Sequence, residues 1–160
     1  MVDSSTIPRL TKIVMIRDRN KEVISGLMMY YDGLIHPINI MPNKVRKKLK
    51  ANRGDFEKKK FKFKPDVHIT KVKAQYESNK KEYLVQLTLM TNKGKSITIG
   101  RNPNSYEDFS MEMIAKDMKN PRLICFSGVC NKERIVNLEG HFVCLEAMSA
   151  GNASLIELFS

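Results

Sequence analysis

The sequence predicts an all-β protein built as a single domain. Short blocks rich in β-branched and aromatic residues recur along most of the chain, turn residues separate them, and no long helical pattern interrupts the series. With 160 residues, 42% of them hydrophobic, the chain suits one compact domain spanning 1–160. A domain of that size buries roughly two-thirds of its unfolded surface.

In chain order the strand-like blocks are TKIVMI, VISGLMMYY, LIHPINI, FKFK, HITKVKAQY, YLVQLTLM, KSITIG, RLICFS and HFVCLEAM. Between them lie YYDG, PNK, SNKK, TNKG, RNPNS and KNPR. Each connector contains Gly, Pro, Asn or Asp, which supply the backbone conformations of tight turns. The clearest hairpin is LVQLTLMTNKGKSITIG. Leu87 and Leu89 alternate with Gln86 and Thr88, TNKG turns the chain, and Ile97 and Ile99 alternate on the return.

Two segments admit two readings. In NSYEDFSMEMIAKDMKN, Phe109, Met113 and Met118 fall near helical spacing behind an Asn104 or Ser105 cap, yet Phe109, Met111 and Met113 also alternate as a strand. In PNKVRKKLKANRG a short helix would take Asn43 as its cap, place Val45 and Leu49 on one face and end at Gly54. Two apolar residues are a thin anchor for it.

Charge is concentrated in one place. Residues 44–64 hold 11 Lys and Arg against Asp55 and Glu57, so 11 − 2 = +9 of the chain's +11 lies there. The candidate contacts to an anionic partner are Lys44, Arg46, Lys47, Lys48, Lys50, Arg53, Lys58, Lys59 and Lys60. Binding of RNA or DNA through them would be salt-dependent and blind to base sequence. In KKKFKFK a strand would put Phe61 and Phe63 on one face and Lys60, Lys62 and Lys64 on the other. The rings then face the core or form a platform for stacked bases, the core being the plainer reading.

Other chemistry finds little support. GKS at 94–96 lacks the first glycine and the following helix of a phosphate-binding loop. Cys125, Cys130, His141 and Cys144 match no common zinc spacing, and His36 and His68 have no nucleophile or acid at a recognisable distance. The sequence therefore predicts no enzyme, no metal and no cofactor. The N-terminus carries no signal-like apolar run, no window approaches the roughly 18–20 apolar residues of a membrane span, and three cysteines are an odd number. An intracellular, cytoplasmic protein with reduced thiols is the expectation.

TKIVMIRDRNKEVISGLMMYYDG, HITKVKAQYESNKKEYLVQLTLMTNKGKSITIG and RLICFSGVCNKERIVNLEGHFVCL resemble, in sequence and order, the jacalin-related lectin family. The similarity runs over about 11–146, leaving 147–160 as a tail. It implies a β-prism of three four-stranded Greek-key sheets, here with an enlarged basic connection around 43–57, and it favours a strand at Phe109–Met113. It also implies a sugar site made by a glycine near the N-terminus and a final Gly-x-x-x-Asp loop. The N-terminal ten residues contain no glycine. Aligned on ERIVNL, the family's aspartate falls at Val136, beside Asn137, and its glycine near Lys132. The residues left to bind a ligand in this final loop are Gly128, Asn131, Lys132, Glu133, Arg134 and Asn137.

These departures predict a non-catalytic binding module, on a jacalin-like scaffold, that serves a protein partner or anionic partner within a larger assembly. A carbohydrate-binding lectin with a modified site, taking an acidic glycan through Lys132 and Arg134, is the alternative. An RNA- or DNA-associated basic protein is the third reading.

Overall fold

The computed structural model describes residues 8–20, 23–51, 53–77, 83–101, 108–113, 119–132 and 134–144. Their strands form three antiparallel sheets. The first holds β1 (Leu10–Asp18), β2 (Val23–Tyr31), β3 (Ile38–Ile40) and, after the helix α1 (Asn43–Ala51), β4 (Phe56–Lys62). The second holds β5 (Ile69–Glu77), β6 (Tyr83–Thr91), β7 (Ser96–Gly100) and β8 (Asp108–Met113). The third is the hairpin of β9 (Pro121–Cys130) and β10 (Ile135–Cys144).

The first two sheets share one topology, β3-β2-β1-β4 and β7-β6-β5-β8, which is the Greek-key order. TKIVMI and ITKVKAQY resemble each other because each opens a key, as β1 and β5. The expectation of three four-stranded sheets needs correction at the third: among the described residues it has two strands. Its outward-facing backbone is met partly by side chains. At the bulge around Ile124, the Tyr31 hydroxyl of the first sheet donates to the Ile124 carbonyl at 2.6 Å. From the second sheet, the Tyr76 hydroxyl accepts from Leu138 N–H at 3.2 Å and donates to Leu138 C=O at 3.5 Å. Burial, aided by neighbouring Cys125, pushes the Tyr31 phenol up to about 12.

One apolar cluster draws on all three sheets, among them Ile13, Met15, Leu27, Tyr76, Leu87, Leu89, Leu123 and Leu138. Alternation explains the continuous apolar run of β1: Ile13 and Met15 face this core, while Val14 and Ile16 face outward beneath α1. The open question at 104–120 resolves to a strand over 108–113, where Val72 pairs with Met113 and Glu77 with Asp108. The flanking residues 102–107 and 114–118 lie outside the described residues.

The TNKG turn closes as expected, with Gly94 at φ +81° and its N–H on the Thr91 carbonyl at 3.1 Å. Lys95 and Ser96 therefore lead into β7, and GKS is a hairpin turn. Gly100, at φ +112°, ends that strand where a Cβ would strike the Val85 carbonyl, so only glycine fits.

Candidate functional site

The basic connection is a helix laid on the outside of the first sheet. Val45 and the half-buried Leu49 dock on Val14, Ile16, Phe56 and their neighbours. The first helical bond runs from Arg46 N–H to the Pro42 carbonyl at 3.1 Å, so Pro42 caps the helix, one residue before the expected cap Asn43. Lys44 and Lys47 are three residues apart, hence on one face, and both are exposed. The first turn carries no acidic residue, which leaves the positive end of the helix dipole uncompensated there.

That face looks onto the tip between β9 and β10. The tip is closed by Asn131 N–H on the Arg134 carbonyl at 2.9 Å and by Arg134 N–H on Asn131 Oδ1 at 2.8 Å. Lys132 stands exposed at its end. Between tip and helix lies an open cleft of about 630 Å³ lined by Asn43, Lys44, Lys47, Cys130, Asn131 and Lys132. Two candidate regions separated by more than eighty residues thus form one surface. Three ammonium groups border it, and no carboxylate does among the described residues.

The other candidates are placed differently. Arg134 lies over the Tyr83 ring, 3.7 Å from its centroid, so its guanidinium packs on the second sheet and does not line the cleft. Gly128 sits within β9, where a Cβ would be 3.0 Å from Ile40 Cγ2. Asn137 is exposed on β10 opposite Val129, and the half-buried Val136, at the family's aspartate position, is the extra residue of a bulge. Glu133 lies outside the described residues.

Of the remaining basic candidates, Arg46, Lys48 and Lys50 are exposed on α1 but do not line the cleft. Arg53 belongs to a single 3-10 turn, Arg53–Asp55. Lys58 and Lys60 are exposed on β4, and Lys59 reaches the Thr98 carbonyl of β7 at 2.7 Å. Phe63 is buried and Phe61 packs against the same core, which rules out a ring platform for stacked bases.

Among the described residues no three His, Cys, Asp or Glu side chains converge as a metal site. Cys125 faces His141 across the hairpin, while Cys144 donates to the Lys119 carbonyl at 3.1 Å. Burial pushes the Cys125 and Cys130 thiols up, which disfavours thiolate chemistry. His141 Nε2 and Ser127 Oγ are 2.8 Å apart on the exposed face of the hairpin. Sequence reasoning missed Asn43 and Cys130 as cleft residues, and no local signal marks either.

A profile of the Jacalin family, described as the jacalin-like lectin domain, matches residues 5–138. Among solved structures, the chain is similar to a prostate-specific WGA16 glycoprotein lectin, with 16% identity and a TM-score of 0.63 over 89% of this chain and 87% of that one. It is similar to the agglutinin of Calystegia sepium at 12% identity and a TM-score of 0.62, covering 86% and 84%. A mannose-binding lectin from champedak shares 16% identity and a TM-score of 0.58, covering 84% and 81%. At such identities the likeness concerns the fold. No curated protein sequence matches the chain.

Proposed function

The chain belongs to the jacalin-like lectin domain family, and from that premise we propose that it is a carbohydrate-binding module whose ligand is an acidic glycan held in the cleft between α1 and the β9–β10 tip. The family is one of lectin domains, which bind without catalysis, and the reading is accordingly of a binding module.

The observation that carries the reading is the meeting of Lys44, Lys47 and Lys132 around one cleft at the family's final loop. With Val136 at the aspartate position, no carboxylate there accepts protons from a neutral sugar's hydroxyls. Ammonium groups donate instead, and the complementary partner is a sulfate or carboxylate on the sugar. Each exposed charge pair contributes about 0.2–1 kcal/mol. Three of them therefore supply roughly 0.6–3 kcal/mol, or about 3- to 150-fold in affinity.

The test is a glycan array with neutral, sulfated and carboxylated sugars, read for the wild type and for a Lys44→Ser/Lys47→Ser/Lys132→Ser variant. Binding to acidic glycans that falls with salt and is lost in the variant is the expected result. A blank array, or neutral binding indifferent to the three substitutions, sinks the proposal. If nucleic acid competes equally at every sequence, the same lysines serve a phosphate backbone instead.

A second reading, a protein-interaction module, is supported by the apolar ledge of Leu34, Ile35 and Ile38, where Ile35 is 91% exposed. A stoichiometric co-purifying protein would favour it. Three unpaired thiols, Cys125, Cys130 and Cys144, support an intracellular, cytoplasmic setting. Among the described residues no helix is long and apolar enough to cross a membrane.

A further inference from the structure

A second cavity lies toward the opposite end of the third sheet. Arg122 is at the start of β9 and Cys130 at its end, eight residues or about 25 Å away at the usual strand rise. The cavity has a volume of about 190 Å³, and Arg9, His68 and Arg122 supply nitrogen groups to a wall otherwise made largely of apolar residues such as Phe63 and Leu123.

Its charges are poorly balanced for a structural role. Arg9 is paired with the exposed Asp32 at 3.2 Å and also donates to the Phe63 carbonyl at 3.5 Å. Asp66, the carboxylate on the cavity wall, is engaged by Lys93 at 3.4 Å. Arg122 Nη2 is buried and has no hydrogen-bond partner among the described residues. Burial, then the nearby Arg9 charge, lowers the Arg122 pKa, and burial, then the Arg122 charge, disfavours protonation of His68. Two like charges around one small cavity, with an unsatisfied buried N–H, cost stability unless an acceptor joins them.

The His68 segment is itself held in place. Asn92 accepts His68 N–H on its side-chain oxygen at 3.0 Å, gives its own N–H to the His68 carbonyl at 3.0 Å and donates its amide to the Asp66 carbonyl at 3.0 Å. The cavity wall is therefore built before any ligand arrives.

We propose that this cavity binds an oxyanion through Arg122 and Arg9, either as a free inorganic ion or as the charged end of a small ligand. A guanidinium presents forked donors that match sulfate, phosphate and carboxylate oxygens. The volume is below the 300–1,000 Å³ or so typical of drug-sized pockets, which limits the occupant to a small group. The site is separate from the glycan cleft, and its occupancy does not depend on that reading.

The test is thermal unfolding of the full chain in inorganic sulfate, phosphate or acetate, each at constant ionic strength set with chloride, together with amide NMR shifts. At ten times its Kd, a bound anion should raise Tm by about 3–6 °C. The rise should saturate, persist in Lys44→Ser/Lys47→Ser/Lys132→Ser and vanish in Arg122→Gln, while the amides of His68, Ile69 and Leu123 shift in the wild type. Acetate acting as well as sulfate points to a carboxylate ligand, and a preference for the tetrahedral ions points to sulfate or phosphate. A rise of equal size in Arg122→Gln is a bulk salt effect and overturns the proposal. So do shifts confined to α1 and the β9–β10 tip.

Discussion

Tyr76→Phe should cost the protein about 2–4 kcal/mol with no change in side-chain packing. Tyr76 is 2% exposed, and its hydroxyl is bonded to both backbone groups of Leu138 on β10. Phenylalanine keeps the ring but leaves a buried N–H and a buried C=O unsatisfied, each costing about 1–3 kcal/mol, with the 3.5 Å bond at the weak end. Tyr31→Phe is the internal comparison, since it strands one backbone group, the Ile124 carbonyl, besides losing the weak contact to the Met29 sulfur at 3.7 Å, and should cost about half as much. Urea unfolding measures both, and an unchanged m-value shows that the unfolded state is unaffected. For a chain of this length the Tyr76 variant should melt about 4–16 °C lower. A loss under about 0.5 kcal/mol at Tyr76, or a larger loss at Tyr31, would refute the idea that hydroxyls from the flanking sheets secure the two-stranded third sheet.

Two further outcomes concern contacts elsewhere in the fold. Val45→Ala removes two buried carbons, about 1.6 kcal/mol at the usual rate per methylene, from a helix of nine residues that is too short to persist alone. Trypsin should then cleave faster at Lys47 and Lys48, and acidic-glycan binding should weaken although no cleft residue has changed; unaltered cleavage would mean that Val45 does not anchor α1. Burial, then the Arg122 and Lys93 charges, hold the His68 pKa below its ordinary value. The unfolded chain then binds more protons, so this contribution is complete above about pH 6.5 and is lost as pH falls from there through the depressed folded value. His68→Gln should flatten the stability profile between about pH 7 and 5, and an identical slope in the variant would remove His68 as its source.

Most of the fold is legible because the signals are local. Alternation at Leu87 and Leu89, the glycine of TNKG and the Phe61–Phe63 pair each point to one face or one turn, and the structure places them accordingly. Residues 104–120 were ambiguous for a physical reason: Phe109 and Met113 are four apart, a spacing that suits a helix and, at period two, a strand. Only pairing with β5 separates the two, and pairing is a long-range fact. The third sheet's two strands were equally out of reach, because the Tyr31–Ile124 and Tyr76–Leu138 bonds join residues 93 and 62 positions apart.

The candidate site shows why charge density is a poor guide to a binding surface. Nine basic residues between 44 and 60 look alike in sequence, yet among the described residues only Lys44 and Lys47 of them line the cleft. The helical repeat, the burial of Val45 and Leu49 against the first sheet, and the reach of the β9–β10 tip together select those two and add Lys132. Lys59, in the same charge run, instead ties β4 to β7. If total charge governed binding, Lys48→Ser/Lys50→Ser would weaken an acidic glycan as much as Lys44→Ser/Lys47→Ser. If the cleft governs it, the first pair acts only through the general field, which salt screens over about 8–10 Å. At physiological salt the second pair should therefore lose several-fold more affinity, and equal losses would assign the function to the charge run as a whole.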